Sequence, residues 1–129
     1  MFKKCESLTN IKGIKFWDVS NCTSFSNMFN GCQSLKDINA INNWNVSKGT
    51  IFQNMFNECH LLSDLNPLKN WDVSKGKDFG YMFCQCYDLN DITPLNNWPI
   101  EHTADCKNMF YDCSIPSEQL ECWKDYNIK

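Results

Sequence analysis

Nine cysteines make this 129-residue chain a candidate for metal binding or disulfide formation. Five of them close the same Met-Phe-x-x-Cys pattern at intervals of 27 residues: Cys5, Cys32, Cys59, Cys86 and Cys113. A free cysteine on the apolar side of a segment packs as a small hydrophobic residue. Cys84 and Cys86 lack the two-residue gap and the second cysteine pair of a zinc knuckle. The sequence therefore predicts core packing for the repeated cysteines, with no metal site and no cofactor.

Acid–base chemistry would have to use the two histidines, His60 and His102. His60 directly follows Cys59, whereas His102 lies in the linker before the last Met-Phe pair. Neither histidine has a repeated partner, so a Ser-His-Asp or Cys-His arrangement has no support. We therefore expect no catalytic residues and no enzymatic activity.

Two columns of polar residues are the strongest candidates for a binding surface. They share the 27-residue spacing and form what we call the polar stripe: Asn10, Asp37, Asp64 and Asp91 in one column, and Lys12, Asn39, Asn66 and Thr93 in the other. Carboxylates stacked about 5 Å apart repel one another unless a cation, a lysine or a hydrogen bond offsets their charge. Two interpretations stay open. The stripe binds a basic partner or a divalent cation, or each aspartate bonds its own turn.

The Met-Phe pairs that precede the cysteines mark a repeat. Its copies begin at Met1, Met28, Met55, Met82 and Met109, without insertion or deletion. A fixed period between 20 and 50 residues is typical of stacked repeat proteins, in which each unit buries its apolar face against its neighbours. We expect the stack to span residues 1–113.

Each repeat is predicted to contain one short helix and one short parallel strand. The helix is indicated by apolar residues at i, i+3, i+4 and i+7, namely Phe25, Met28, Phe29 and Cys32. The strand is indicated by apolar residues at every third position, which we interpret as a short strand flanked by bends: Leu35, Ile38 and Ile41. Because proline cannot donate a ladder hydrogen bond, Pro67 and Pro94 should end the strand at or before the preceding residue.

Tryptophans form a further column after the predicted strand, at Trp17, Trp44, Trp71 and Trp98. Four indoles at equivalent positions predict a packing ladder whose N–H groups need nearby acceptors. After Cys113 the pattern changes, and Pro116 followed by acidic residues, Leu120 and Trp123 predicts a helix. We expect residues 114–129 to form a C-terminal helical cap.

Composition argues against two classes of partner. The net charge is -3, and all twelve basic residues are lysines. Without arginine the chain lacks the best bidentate ligand for phosphate or guanine, and its lysine runs are too short for a nucleic-acid footprint. No apolar run approaches the ~20 residues of a membrane span. We expect neither nucleic-acid binding nor a membrane-spanning segment.

The pattern Met-Phe-x-x-Cys-x-x-Leu-x-x-Ile followed by Trp-Asp-Val-Ser resembles the BspA-like leucine-rich repeat of bacterial surface proteins, a type also associated with mycoplasma lipoproteins. Met28 to Leu35, Ile38, Ile41 and Trp44 to Ser47 carry the resemblance, which extends over about 113 of the 129 residues. The resemblance implies an α/β fold: a right-handed, leucine-rich-repeat-like solenoid of five 27-residue rungs, each with a short parallel strand and a short helix. It carries over no catalytic residues.

The resemblance also implies a non-catalytic protein-interaction or adhesion module at a cell surface, with an unidentified protein as its partner. The alternative is a structural or assembly component that stacks end to end through an uncapped N-terminal rung. The expected location is the cell surface or outside the cell. No signal peptide precedes the first repeat, however, and an odd number of cysteines fits a reducing compartment better.

Overall fold

The computed structural model describes all residues from Met1 to Lys129 and contains five short helical elements. Four are single 3₁₀ turns of three residues each: Lys12–Ile14, Asn39–Ile41, Asn66–Leu68 and Thr93–Leu95. The fifth, α1, spans Ser117–Glu121. There are no strands, and β pairing is limited to four isolated parallel bridges. The chain is a compact, repetitive and mostly irregular domain in which consecutive 3₁₀ turns contact one another.

Equivalent phenylalanines lie one above another through the domain. In the longer ladder, neighbouring ring centroids are 5.4 to 5.9 Å apart and the rings are almost parallel: Phe2, Phe29, Phe56, Phe83 and Phe110. In the second ladder the spacings are 5.4 and 5.3 Å, and its members are Phe25, Phe52 and Phe79. The predicted stacking of equivalent side chains is confirmed. The repeats share one continuous apolar core.

The Met-Phe segment forms a row of tight turns, so the predicted two-turn helix is wrong. The N–H groups of Met28, Asn30 and Cys32 bond to carbonyls three residues earlier. The alternate N–H groups bond instead to main-chain carbonyls 26 residues later, in the next repeat. The donors are Phe25, Asn27, Phe29 and Gly31. An α-helix would use all of these donors within the segment. Consecutive turns bury the same side chains as a helix while leaving alternate donors free for the neighbouring repeat.

Two positions in the row of turns have positive φ, which an α-helix excludes. One column comprises Asn27, Asn54, Tyr81 and Asn108, and the other comprises Lys4, Gly31, Glu58, Gln85 and Asp112. Each lies at the third residue of a four-residue turn, where type II turns require positive φ. Asparagine and glycine adopt this conformation most readily, whereas a bulky residue such as Tyr81 adopts it at a cost. The turns therefore dictate the backbone at both positions.

The predicted strand is also wrong, because the apolar residues at every third position follow turns. The N–H groups of Leu35, Ile41 and Trp44 each bond to the carbonyl three residues earlier. A spacing of three matches the 3.0 residues per turn of a 3₁₀ helix. Pro67 and Pro94 lie in the first turn of their 3₁₀ helices, where the missing N–H costs no hydrogen bond. Here proline begins a turn and does not end a strand.

Three of the four tryptophans in the column have the acceptors that the sequence predicts they need. The indole N–H of Trp44 donates to the Ile14 carbonyl at 3.3 Å. The indole N–H of Trp71 donates to the Ile41 carbonyl at 3.0 Å, and the equivalent bond from Trp98 is 2.8 Å long. Each indole therefore bonds to the end of the 3₁₀ turn in the previous repeat, which ties consecutive repeats together.

The C-terminal segment packs on the last repeat. The rings of Trp123 and Phe110 are nearly perpendicular, with their centroids 5.2 Å apart, and Trp123 is buried. The Gln119 side-chain oxygen accepts a bond from the Ile92 N–H at 2.8 Å, and the Tyr126 hydroxyl donates to the Ile100 carbonyl at 3.1 Å. α1 lies within residues 114–129, the predicted cap. At five residues it is the longest helix, and no helix could cross a membrane.

Truncating the central ring of the longer ladder should strongly destabilise the domain. Phe56 is fully buried between Phe29 and Phe83, at centroid distances of 5.4 and 5.6 Å. We expect Phe56→Ala to lower the free energy of unfolding by about 3–5 kcal/mol, measured by urea denaturation. Phe16 is 90% exposed, so Phe16→Ala is the matched control and should leave stability nearly unchanged. Equal losses in the two variants would contradict the ladder.

Candidate functional site

The polar stripe is a row of turns in which a side-chain oxygen accepts a hydrogen bond from the main chain two residues later. The Oδ1 atoms of Asp37 and Asp64 accept from the N–H groups of Asn39 and Asn66, both at 2.9 Å. Asn10 and Asp91 make the equivalent bonds, to Lys12 at 3.2 Å and to Thr93 at 3.0 Å. The interpretation in which each aspartate bonds its own turn is confirmed. Ligand binding by the stripe stays a prediction.

The second column of the stripe reinforces the first. The side-chain amide of Asn66 donates to Asp64 Oδ1 at 2.9 Å, and the Thr93 hydroxyl donates to Asp91 Oδ1 at 2.7 Å. No ion pair reaches these carboxylates, because the one salt bridge in the domain joins Lys124 and Glu121. A shallow hollow of about 330 Å³ lies at the first repeats, lined by Lys12, Lys15, Asp37, Asn39 and Ala40. The stripe thus presents fixed, exposed carboxylates next to two lysines at one end.

Two other corners of the repeat use the same turn chemistry. At one corner, Asp18, Asn45 and Asp72 accept from the N–H groups of Ser20, Ser47 and Ser74, at 3.0 to 3.1 Å. At the other, Asp78 and Asp105 bond the N–H two residues later at 2.9 Å. The sequence signal for the first corner is Asp/Asn-Val-Ser, which follows Trp17, Trp44 and Trp71. The same side-chain to main-chain hydrogen bond therefore stabilises turns at several places in each repeat, and it is not specific to the stripe.

Hydroxyl donors lower the pKa of three corner aspartates. The pKa of Asp91 lies below its usual 3.8, first because the Thr93 hydroxyl donates to the carboxylate and second because the Thr93 N–H does. The Ser20 and Ser74 hydroxyls lower the pKa of Asp18 and Asp72 in the same way. Each of these bonds favours the ionised carboxylate, so these side chains keep their negative charge in mildly acidic solution.

The repeated cysteines are mostly packing residues. Cys32, Cys59 and Cys86 are fully buried, and each thiol points at the carbonyl of a phenylalanine in the previous repeat, at 3.0 to 3.2 Å. Burial raises the pKa of Cys32 to about 11 and that of Cys113 to about 12. These thiols are poor nucleophiles because the thiolate is the reactive form. Core packing is confirmed for the buried members; Cys5 is exposed and Cys113 half-buried.

The two histidines lie on the surface against aromatic rings. His60 stacks on Tyr87 at 4.5 Å between ring centroids, and His102 stacks on Tyr126 at 5.1 Å. The structure brings neither histidine together with a cysteine or serine nucleophile. No group of three or more His, Cys, Asp and Glu side chains is placed to hold a metal ion.

A family model described as "Mycoplasma protein of unknown function, DUF285" matches residues 1–123. The chain belongs to the DUF285 family. Neither the curated proteins nor the solved structures contain a match. The DUF285 match covers all five Met-Phe starts and ends at Trp123, the residue that packs on Phe110. The polar stripe and its turns therefore lie entirely within the region that defines membership of DUF285.

Removing the hydroxyl that donates to Asp91 should raise the pKa of this carboxyl group toward its usual value. The lowered pKa means that the hydrogen-bonded carboxylate stabilises the fold above the unfolded-state pKa, and that this stabilisation is lost as the pH falls through the folded-state pKa. We expect Thr93→Val to raise the pKa in a ¹³C carboxyl NMR titration. Thr93→Ser keeps the donor and should leave the pKa low. Identical titration curves of Asp91 in both variants would show that the Thr93 hydroxyl is not the main cause of its lowered pKa.

Proposed function

We propose that this chain is a non-catalytic protein-interaction module whose polar stripe binds a basic segment of a partner protein. The observation that carries the proposal is the unbalanced charge of the stripe. Asp37, Asp64 and Asp91 share one column on the same side of consecutive repeats, and no lysine pairs with any of them. A basic segment would offset the repulsion among these carboxylates.

The rigidity of the stripe supports the proposal. Each aspartate is fixed by a hydrogen bond to its own turn. Each turn is anchored to the apolar core by the buried residue that follows the aspartate: Ile38, Leu65 or Ile92. A partner that binds such a surface loses less free energy to ordering of side chains than one that binds flexible loops. One carboxylate oxygen is used in each turn, and for Asp37 and Asp64 the other makes no hydrogen bond within the chain.

We also propose that the stacked repeats are a right-handed solenoid of the leucine-rich-repeat type, related to the BspA-like surface repeats. Support comes from the constant 27-residue period of this chain and from ladders of equivalent phenylalanines and tryptophans. In this proposal, rows of turns replace the strand and helix of a regular leucine-rich repeat. Adhesion at a cell surface is the role that such a relationship would imply, with a protein as the ligand.

A lysine-rich decapeptide tests the charge of the stripe directly. We expect the unmodified chain to bind the peptide with an affinity that falls as salt is added. Exposed ion pairs contribute about 0.2–1 kcal/mol each. The triple variant Asp37→Asn, Asp64→Asn, Asp91→Asn should therefore bind roughly tenfold more weakly. Asparagine keeps the acceptor oxygen of each turn, so thermal melts should show little change in stability.

The control moves the same charge change to other corners. Asp18→Asn combined with Asp72→Asn and Asp105→Asn removes three exposed carboxylates that are held in equivalent turns outside the stripe. This control variant should bind the decapeptide almost as well as the unmodified chain. Equal weakening in both variants would mean that the peptide responds only to net charge, and the stripe proposal would fail.

A second candidate function is end-to-end assembly, and the first repeat supplies the observation that favours it. Met1 is 80% exposed and Trp17 is 39% exposed, beside a cleft of about 510 Å³ that reaches Phe25 and Met28. A contiguous exposed apolar patch is typical of an interaction site. Sedimentation velocity over a concentration series would show growing oligomers if this role holds, and Trp17→Asp should abolish them. A monomer at all concentrations would exclude it.

A further inference from the structure

The C-terminal segment leaves an open cleft of about 870 Å³ against the last repeat. One wall is formed by Asn108, Phe110 and Tyr111 of the last row of turns, and the opposite wall includes Leu120 and Ile128. The volume lies within the range of ligand sites, and five of the twelve residues that line the cleft are hydrophobic. Tyr111 is 57% exposed and lies at the rim.

Main-chain donors in the wall of this cleft have no acceptor. In the preceding repeat, the N–H groups of Tyr81 and Phe83 bond to the carbonyls of Lys107 and Met109, both at 2.9 Å. The N–H groups of Asn108 and Phe110 occupy the equivalent positions in the last repeat, and no main-chain or side-chain acceptor within the chain bonds to them. By the repeat register, these two donors point along the stack, toward the end at which the C-terminal segment lies.

The C-terminal segment covers the ring of Phe110 without satisfying its main chain. Trp123 contacts that ring, and the main-chain bonds of α1 stay within the segment, to the carbonyls of Pro116 and Gln119 among others. Phe110 is only 7% exposed, and its N–H makes no hydrogen bond within the chain. An unpaired main-chain donor is costly wherever water does not reach it. An acceptor from outside the chain would satisfy it.

We propose that this cleft binds a peptide segment of a partner protein through its main chain, with two carbonyls spaced two residues apart accepting from Asn108 and Phe110. This inference rests on the proposed role as a protein-interaction module and assigns it a second site. The domain itself indicates the ligand class, because every equivalent donor pair in the inner repeats bonds to main-chain carbonyls with this spacing. An apolar side chain of the peptide lies against Leu120 and Ile128.

Charge contributes little to this site, which separates it from the polar stripe. The cleft contains both signs of charge, and Lys124 is already paired with Glu121 at 3.3 Å. Affinity therefore comes from main-chain hydrogen bonds and apolar contact, so it should resist salt. Selection of peptides at about 0.5 M salt, where charges are screened over less than ~8 Å, suppresses binding to the stripe and leaves the cleft.

A phage-displayed library of random peptides, selected at high salt on the full chain, supplies the probe. We expect an enriched peptide rich in apolar residues, with binding measured by fluorescence polarisation. Leu120→Arg places a charge in the wall and should weaken binding at least ~10-fold. Tyr87→Arg adds the same charge on an exposed surface outside the cleft and should leave the affinity unchanged.

Amide hydrogen exchange in the unmodified chain keeps the test valid if Leu120→Arg disturbs the fold. The enriched peptide should slow exchange at Asn108 and Phe110 and leave the stripe amides of Asn39 and Asn66 unchanged. Failure to enrich any peptide, or equal affinity in both arginine variants, would overturn the proposal. If amide exchange at Asn108 and Phe110 slows with rising protein concentration in the absence of peptide, the cleft binds a second copy of the chain, and the proposal is also overturned.

The two proposals fail separately. The triple stripe variant should bind the selected peptide as well as the unmodified chain does, and Leu120→Arg should bind the lysine-rich decapeptide normally. Loss of decapeptide binding without loss of the selected peptide would therefore identify a defect of the stripe alone. A negative result for the selected peptide beside a positive one for the decapeptide would overturn only the cleft.

Discussion

The structure depends on how main-chain N–H groups are divided between two sets of acceptors. In every row of turns except the last, every second N–H closes a turn within the row, and the N–H groups between them bond to the next repeat, as from Phe25 to Ile51 and from Phe29 to Met55. A shift of one residue between neighbours would exchange the two sets and leave buried donors unpaired. This division fixes the 27-residue register, and the stacked phenylalanine rings and the indole N–H bonds follow from it.

The corners of the repeat satisfy their donors in a different way, and the candidate binding surface is the result. Where the chain changes direction, a side-chain oxygen supplies the acceptor two residues before the N–H, as Asp64 does for Asn66 and Asp72 does for Ser74. Short acidic and amide side chains are favoured there because they reach their own backbone. Carboxylates therefore recur in three consecutive repeats along one side of the core, at Asp37, Asp64 and Asp91, at a spacing that no individual loop could maintain.

The period and the shared apolar column could be predicted from the sequence, because only residues that contact their own equivalents recur at a constant interval. The local backbone could not. The spacing of Phe25, Met28, Phe29 and Cys32 fits a helix and a row of turns equally well. The decisive positive φ values fall on asparagine in three of four repeats in one column and on five different residue types in the other. The polar stripe could be located, since its aspartates recur, but its hydrogen bonds depend on the turn that follows. The free N–H groups of Asn108 and Phe110 could not be predicted, because their side chains follow the repeat pattern and only the packing of the C-terminal segment leaves them without acceptors.

Couplings across hydrogen bonds between amide nitrogen and carbonyl carbon, measured by NMR, test the register between repeats most directly. The account predicts resolved couplings from the nitrogen of Phe25 to the carbonyl of Ile51 and from that of Phe29 to Met55, with none from these nitrogens to carbonyls four residues earlier. Couplings to the carbonyls four residues earlier would show that the segment is an α-helix. In that case the hydrogen-bonded stack of turns, and the free donors inferred at its end, would both be wrong.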